Sequence, residues 1–186
     1  MKKCKIRRLF EYGEIGIFFR EIIAKSFYLG AASYGISYWG LAFCLKETGG
    51  LCKSILSKKT DSYTLRQWTA LFLMLSVVGE VLVCSIFMHG SSTIDSLIYG
   101  RYIEFLNPML IVAGIVAMLK SGKLIRFIVI AGMISGLMTY PIITVIKENN
   151  LEGIRGYFVV GISNLIDEAH FDPPAFFRNV WIAQMI

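Results

Sequence analysis

Charge is scarce in this chain: only 17% of its 186 residues are Asp, Glu, Lys or Arg. Proline and cysteine number four each and histidine two. Cys4, Cys44, Cys52 and Cys84 form no CxxC pair, so neither a disulfide framework nor a zinc site is indicated. His170 stands in a run with Asp167, Glu168 and Asp172, all metal-capable, but the spacing matches no ligand motif. A solvated acidic loop ended by Pro173 and Pro174 accounts for it, and no metal or cofactor is expected. There is no Walker loop, no GxSxG and no HExxH, which removes the usual ATPase, hydrolase and zincin readings. Repeats and low-complexity tracts are also absent; Gly49, Gly50 and Ser54 to Ser62 mark only a polar loop.

What is present is apolar. Hydrophobic residues make up 55% of the chain, and mean hydropathy is +0.61. A soluble domain of this size could not hide that much apolar surface. The expectation is an all-α integral-membrane bundle of about four transmembrane helices, with the lipid bilayer as its surroundings. The net charge of +6 is carried by short stretches between apolar runs, which argues for membrane topology and against nucleic acid.

Four runs are long enough to consider. The first, Ala24 to Leu45, has Lys25 at its edge and Ser33, Gly35 and Ser37 for close helix contact. The second, Trp68 to Met88, contains one acid, Glu80. The third, Phe105 to Leu119, is short unless its helix begins near Tyr99. The fourth, Leu124 to Ile146, carries Gly132 and Gly136 in GxxxG spacing, a packing face for a partner helix, and Pro141, which should kink it.

Loop charge sets orientation. Lys46, Lys53, Lys58, Lys59 and Arg66 follow the first run, and Lys120, Lys123 and Arg126 flank the tight turn before the fourth; both stretches belong in the cytoplasm. His89 to Asn107 and the tail after Lys147 belong outside. Residues 1–23, with Lys2, Lys3, Lys5, Arg7, Arg8 and Arg20, break the alternation and read as a basic amphipathic segment, interfacial over Ile6 to Ile23, the alternative being a dip into the bilayer at Ile15 to Phe19 that makes the span count odd. Residues 24–146 form the transmembrane region. Residues 147–186 are an extracytoplasmic tail or the start of a further element, since the chain stops in the apolar Val180 to Ile186.

The segment Asp95 to Pro108 packs charge and aromatics at the outer edge of a run. Arg101 and Glu104 are three apart and would pair on a helix, while Tyr99 and Tyr102 supply an interfacial belt. Arg101 is the candidate for gripping the phosphate of a lipid-linked sugar, because a guanidinium binds phosphate oxygens through two parallel hydrogen bonds. An interfacial anchor with a structural ion pair is the alternative. Glu80 is a site candidate because a carboxylate inside an apolar run must be protonated, paired or facing water.

Lys25 to Ile36, together with Asp95 and the Tyr99 to Glu104 run, resembles a group of bacterial polytopic proteins similar to the GT-C integral-membrane glycosyltransferases. Those proteins take sugars from polyprenyl-phosphate donors at the outer face of the plasma membrane. The resemblance implies a multi-pass protein of a bacterial plasma membrane, with Arg101, Glu104, Tyr99 and Tyr102 near a polyprenyl-phosphate-linked sugar. Ser33 stands where the pattern has Thr, and Ala24, Lys25 and Ser26 replace the expected Gly and Gln context. The acid-bearing first outer loop of the group has no counterpart here, so no catalytic residue carries over and the chain resembles a middle or C-terminal portion. The alternative is a non-catalytic membrane module or transporter subunit, in which Glu80 would lie on a proton or ion path.

Overall fold

The computed structural model describes residues 14–57, 64–89, 93–98, 102–148 and 172–185. All regular structure among them is helical: α1 (Glu14–Ala31), α2 (Ile36–Leu56), α3 (Leu65–Met88), α4 (Asn107–Ser121), α5 (Leu124–Glu148) and α6 (Pro173–Met185). A single helical turn at Ile94–Leu97 and a 3-10 turn at Ile103–Phe105 lie between α3 and α4. Residues 1–13 and the acidic run around His170 lie outside the described residues, apart from Asp172, as do Tyr99 and Arg101.

The apolar run from Ala24 to Leu45 is not one helix. α1 ends at Ala31 and α2 begins at Ile36, with Tyr34 at φ 53° and Gly35 at φ 82° between them. The Gly35 N–H donates back to the Gly30 carbonyl at 2.8 Å, the left-handed helix-ending bond for which glycine is suited. Ser33 Oγ donates to the carbonyls of Leu29 and Gly30 and accepts from the Ser37 N–H at 3.0 Å. The break therefore consumes the backbone groups it frees. Apolar and small residues filled this stretch, so hydropathy alone gave no warning of the turn.

The two halves nevertheless act together as one column. Glu21 on α1 meets His89 just beyond the end of α3, and Glu47 on α2 meets Arg66 at the start of α3. α3 thus runs antiparallel to the α1–α2 column between Glu21 and Glu47. α5 is also antiparallel to it, lying mainly along α1, with Phe127 against Trp39 in the first turn of α2 and Glu148 paired with Arg20 at the other end. α1 runs without interruption across residues 23 and 24, and from Ala24 to Ala31 it is almost wholly buried.

α2 and α4 run side by side in closest contact. A Cβ on Gly40 would collide with the backbone carbonyl of Leu110, and one on Gly114 with that of Ile36, so both positions require glycine. Ser37 Oγ donates to Asn107 Oδ1 at the start of this seam. α4 does not extend back toward Tyr99. It starts at Asn107 with Pro108 in its first turn and stops at Gly122, whose φ is 64°. Its 15 residues span about 22 Å, short of a hydrocarbon core of about 30 Å.

α3 and α5 are the two helices long and apolar enough to cross a membrane among the described residues. Only 28% of the apolar window in each is buried. Phe72, Leu75 and Leu82 on α3 face outward, as do Ile125, Val129, Met133, Leu137 and Tyr140 on α5. α5 continues through Pro141, and its Gly132–Gly136 face receives α6 of the same chain: Trp181 Nε1 donates to the Gly132 carbonyl at 2.9 Å.

Candidate functional site

The end of the molecule where α3 finishes gathers most of the titratable side chains that are withdrawn from solvent. On α1, Glu21, Lys25 and Tyr28 follow one another at spacings of four and three, so they share a face. Each finds a polar partner on another element. Glu21 Oε2 lies 3.0 Å from His89 Nδ1, both side chains buried. Lys25 has no exposed surface, and its Nζ donates to the Leu97 carbonyl at 3.2 Å. Tyr28 donates its hydroxyl proton to Glu104 Oε1. The turns at Ile94–Leu97 and Ile103–Phe105 are held to α1 through these bonds.

Glu104 therefore sits in a 3-10 turn and not on the α-helix expected for an Arg101–Glu104 pair. Arg101 and Tyr99 fall outside the described residues. Tyr102 stands immediately before the turn, more than half exposed.

Glu80 is half-buried on α3, one turn before Cys84, whose thiol lies 3.8 Å from Glu80 Oε1. Glu80, Val83, Cys84, Phe87, Met88 and Tyr102 line a cavity of about 280 Å³. Two candidates chosen on separate grounds, the lone acid of an apolar run and an aromatic of the Asp95 to Pro108 segment, thus face the same space. Among the described residues no cation pairs with Glu80. The cavity combines a carboxylate that can accept hydrogen bonds from hydroxyls, two aromatic rings and apolar walls. Such a lining suits a polar ring carried on an apolar chain.

Sequence reading missed the α1 row. Lys25 looked like the charged edge of a span, because a hydropathy window cannot show that a helix has already begun at Glu14. The available signal was the spacing of Glu21, Lys25 and Tyr28 on one helical face. At the opposite end, Lys46 and Arg66 from one predicted cytoplasmic stretch and Lys120 from the other line a common cavity. Among the described residues no group of three His, Cys, Asp or Glu could hold a metal ion.

No protein-family model, curated protein or solved structure matches this chain.

Proposed function

We propose that the chain is a multi-pass membrane protein whose cavity at the outer end of α3 receives the sugar of a polyprenyl-phosphate-linked donor. In this reading the α1–α2 column, α3 and α5 cross the bilayer, and α4, about 22 Å long, completes a fourth crossing only where the bilayer thins to meet it. The supporting observation is the shared cavity of Glu80 and Tyr102. Glu80 accepts hydrogen bonds from sugar hydroxyls, and Tyr102 with Phe87 offers ring faces to the apolar side of the sugar. Glu104 fixes the turn that presents Tyr102, through its bond to Tyr28. Arg101, next to Tyr102 in sequence, takes the phosphate, and Tyr99 belongs to the same aromatic belt. The resemblance to GT-C proteins of bacterial plasma membranes supplies the substrate class. The catalytic acid of such proteins has no counterpart here, so the proposal is one of binding.

The test is titration of the reconstituted protein in nanodiscs with a polyprenyl-phosphate-linked hexose and with the sugar-free polyprenyl phosphate. Wild-type protein should favour the sugar-bearing lipid at least tenfold, a preference of about 1.4 kcal/mol. Glu80→Gln should abolish that preference, and Arg101→Lys should weaken both ligands equally. Equal binding of the two lipids by the wild type would end this reading.

The buried row Glu21, Lys25 and His89 favours a second reading, that of a transporter subunit with an interior titratable path. A pH-dependent flux abolished by Glu80→Gln would support it over sugar binding.

A further inference from the structure

At the end of the molecule remote from Glu80, α2, α3, α4 and α5 enclose a cavity of about 440 Å³. Its floor is aromatic: Trp39 and Phe127 meet edge to face at 4.1 Å, and the Trp39 indole N–H donates to the Phe127 carbonyl at 3.2 Å. Its rim is basic, formed by Lys46, Arg66 and Lys120 against a single carboxylate, Glu47. Arg66 is already committed, with Nε and Nη2 at 3.0 and 2.9 Å from Glu47 Oε2. Lys46 and Lys120 are exposed and have no ion-pair partner among the described residues, so the cavity keeps two positive charges in excess.

A second hollow of about 580 Å³ adjoins it at Phe43 and Arg66. This one is apolar, walled by Leu65, Phe72 and Leu73 on α3 and by Met109 and Val112 on α4. The Arg66 guanidinium stands over the Phe43 ring, 6.0 Å from its centroid, at the junction of the two. A doubly positive pocket opening beside an outward-facing apolar groove has the polarity profile of an anionic amphiphile lying along the protein surface.

We infer that this pair of cavities is a binding site for an anionic phospholipid, with the phosphate between Lys46 and Lys120 and an acyl chain in the groove between α3 and α4. Lys46 and Lys120 attract the phosphate as point charges, Arg66 braces the junction, and the aromatic floor contacts the glycerol region. The site depends on the membrane reading of the chain but not on the sugar-binding cavity at the other end.

The full chain, purified in a non-ionic detergent, is titrated with phosphatidylglycerol, with phosphatidylcholine of the same acyl chains, and with inorganic phosphate, and bound lipid is counted by native mass spectrometry. Phosphatidylglycerol should bind at least tenfold more tightly than either other ligand. Lys46→Gln with Lys120→Gln should remove that preference, while Lys53→Gln with Lys123→Gln, equal in charge but outside the cavity, should leave it. Ala113→Trp, which fills the groove, should reduce phospholipid binding and leave binding of inorganic phosphate unchanged. Equal binding of the two phospholipids, equal binding of phosphatidylglycerol and free phosphate, or equal loss in the two lysine pairs would each overturn the proposal. The wild-type comparisons stand even if a variant fails to fold. Failure here with retained sugar preference at the Glu80 cavity would leave the proposed function untouched.

Discussion

A lysine ammonium with no exposed surface is costly to bury unless charge and hydrogen bonding surround it. Lys25 meets that condition through the Leu97 carbonyl and through Glu21 one turn earlier on its own helix face. Glu21 also serves His89, so it supports two buried groups at once. Glu21→Leu should therefore destabilise the protein by about 3 kcal/mol, the usual penalty for orphaning a buried charge. Glu21→Gln, whose amide oxygen still accepts a hydrogen bond, should cost less. Denaturant titration of helicity in detergent measures both, and a loss below about 1 kcal/mol for Glu21→Leu would contradict the role given to it. Glu80 was legible in the sequence because it is the lone acid in an apolar run. The α1 row was not, because each of its members looks ordinary until its partners arrive from the end of α3 at His89 and from the turns near residues 97 and 104.

At the scale of elements, the molecule depends on two backbone features. The first is the turn between α1 and α2, where Gly35 at φ 82° also brings its Cα against α5: an added Cβ would stand 2.7 Å from the Ala131 Cβ. Gly35→Ala should cost about 1–3 kcal/mol, combining left-handed strain with a clash. Tyr34→Gly should be neutral or stabilising, since Tyr34 is exposed and occupies the left-handed region without a glycine's freedom. Thermal unfolding of the two variants checks the pair of signs. The second feature is the α2–α4 seam, where Gly40→Leu should prevent the helices from closing and lower the yield of folded protein sharply, measured by size-exclusion profile. The start of α4 at Asn107, close to the Phe105 where its apolar run begins, was legible, and Pro108 fits there because proline suits a helix's first turn. The α1–α2 break was hidden, because Ser33 and Gly35 read equally well as small residues for helix packing.

The whole molecule is ordered by its two ends. One end holds Glu21, His89, the Arg20–Glu148 pair and the Glu80 cavity; the other holds the cavity rimmed by Lys46, Arg66 and Lys120. The two ends stand apart because α3 packs along the α1–α2 column from Glu21 to Glu47 and α5 from Arg20 to Trp39. Outward-facing apolar stripes on α3, α4 and α5 separate the ends. The alternation expected from loop charge, the proposed sugar cavity and the proposed lipid site all require the two ends to face opposite sides of a bilayer. Single cysteines at Ser57, Ser121 and Asp172, placed in a background without the native thiols, read this directly with a membrane-impermeant maleimide in sealed vesicles of known orientation. The account predicts that Asp172→Cys labels from the outside only, and that Ser57→Cys and Ser121→Cys label only when the cytoplasmic face is presented. Labelling of all three from one side, or of Ser57→Cys and Ser121→Cys from opposite sides, would contradict it.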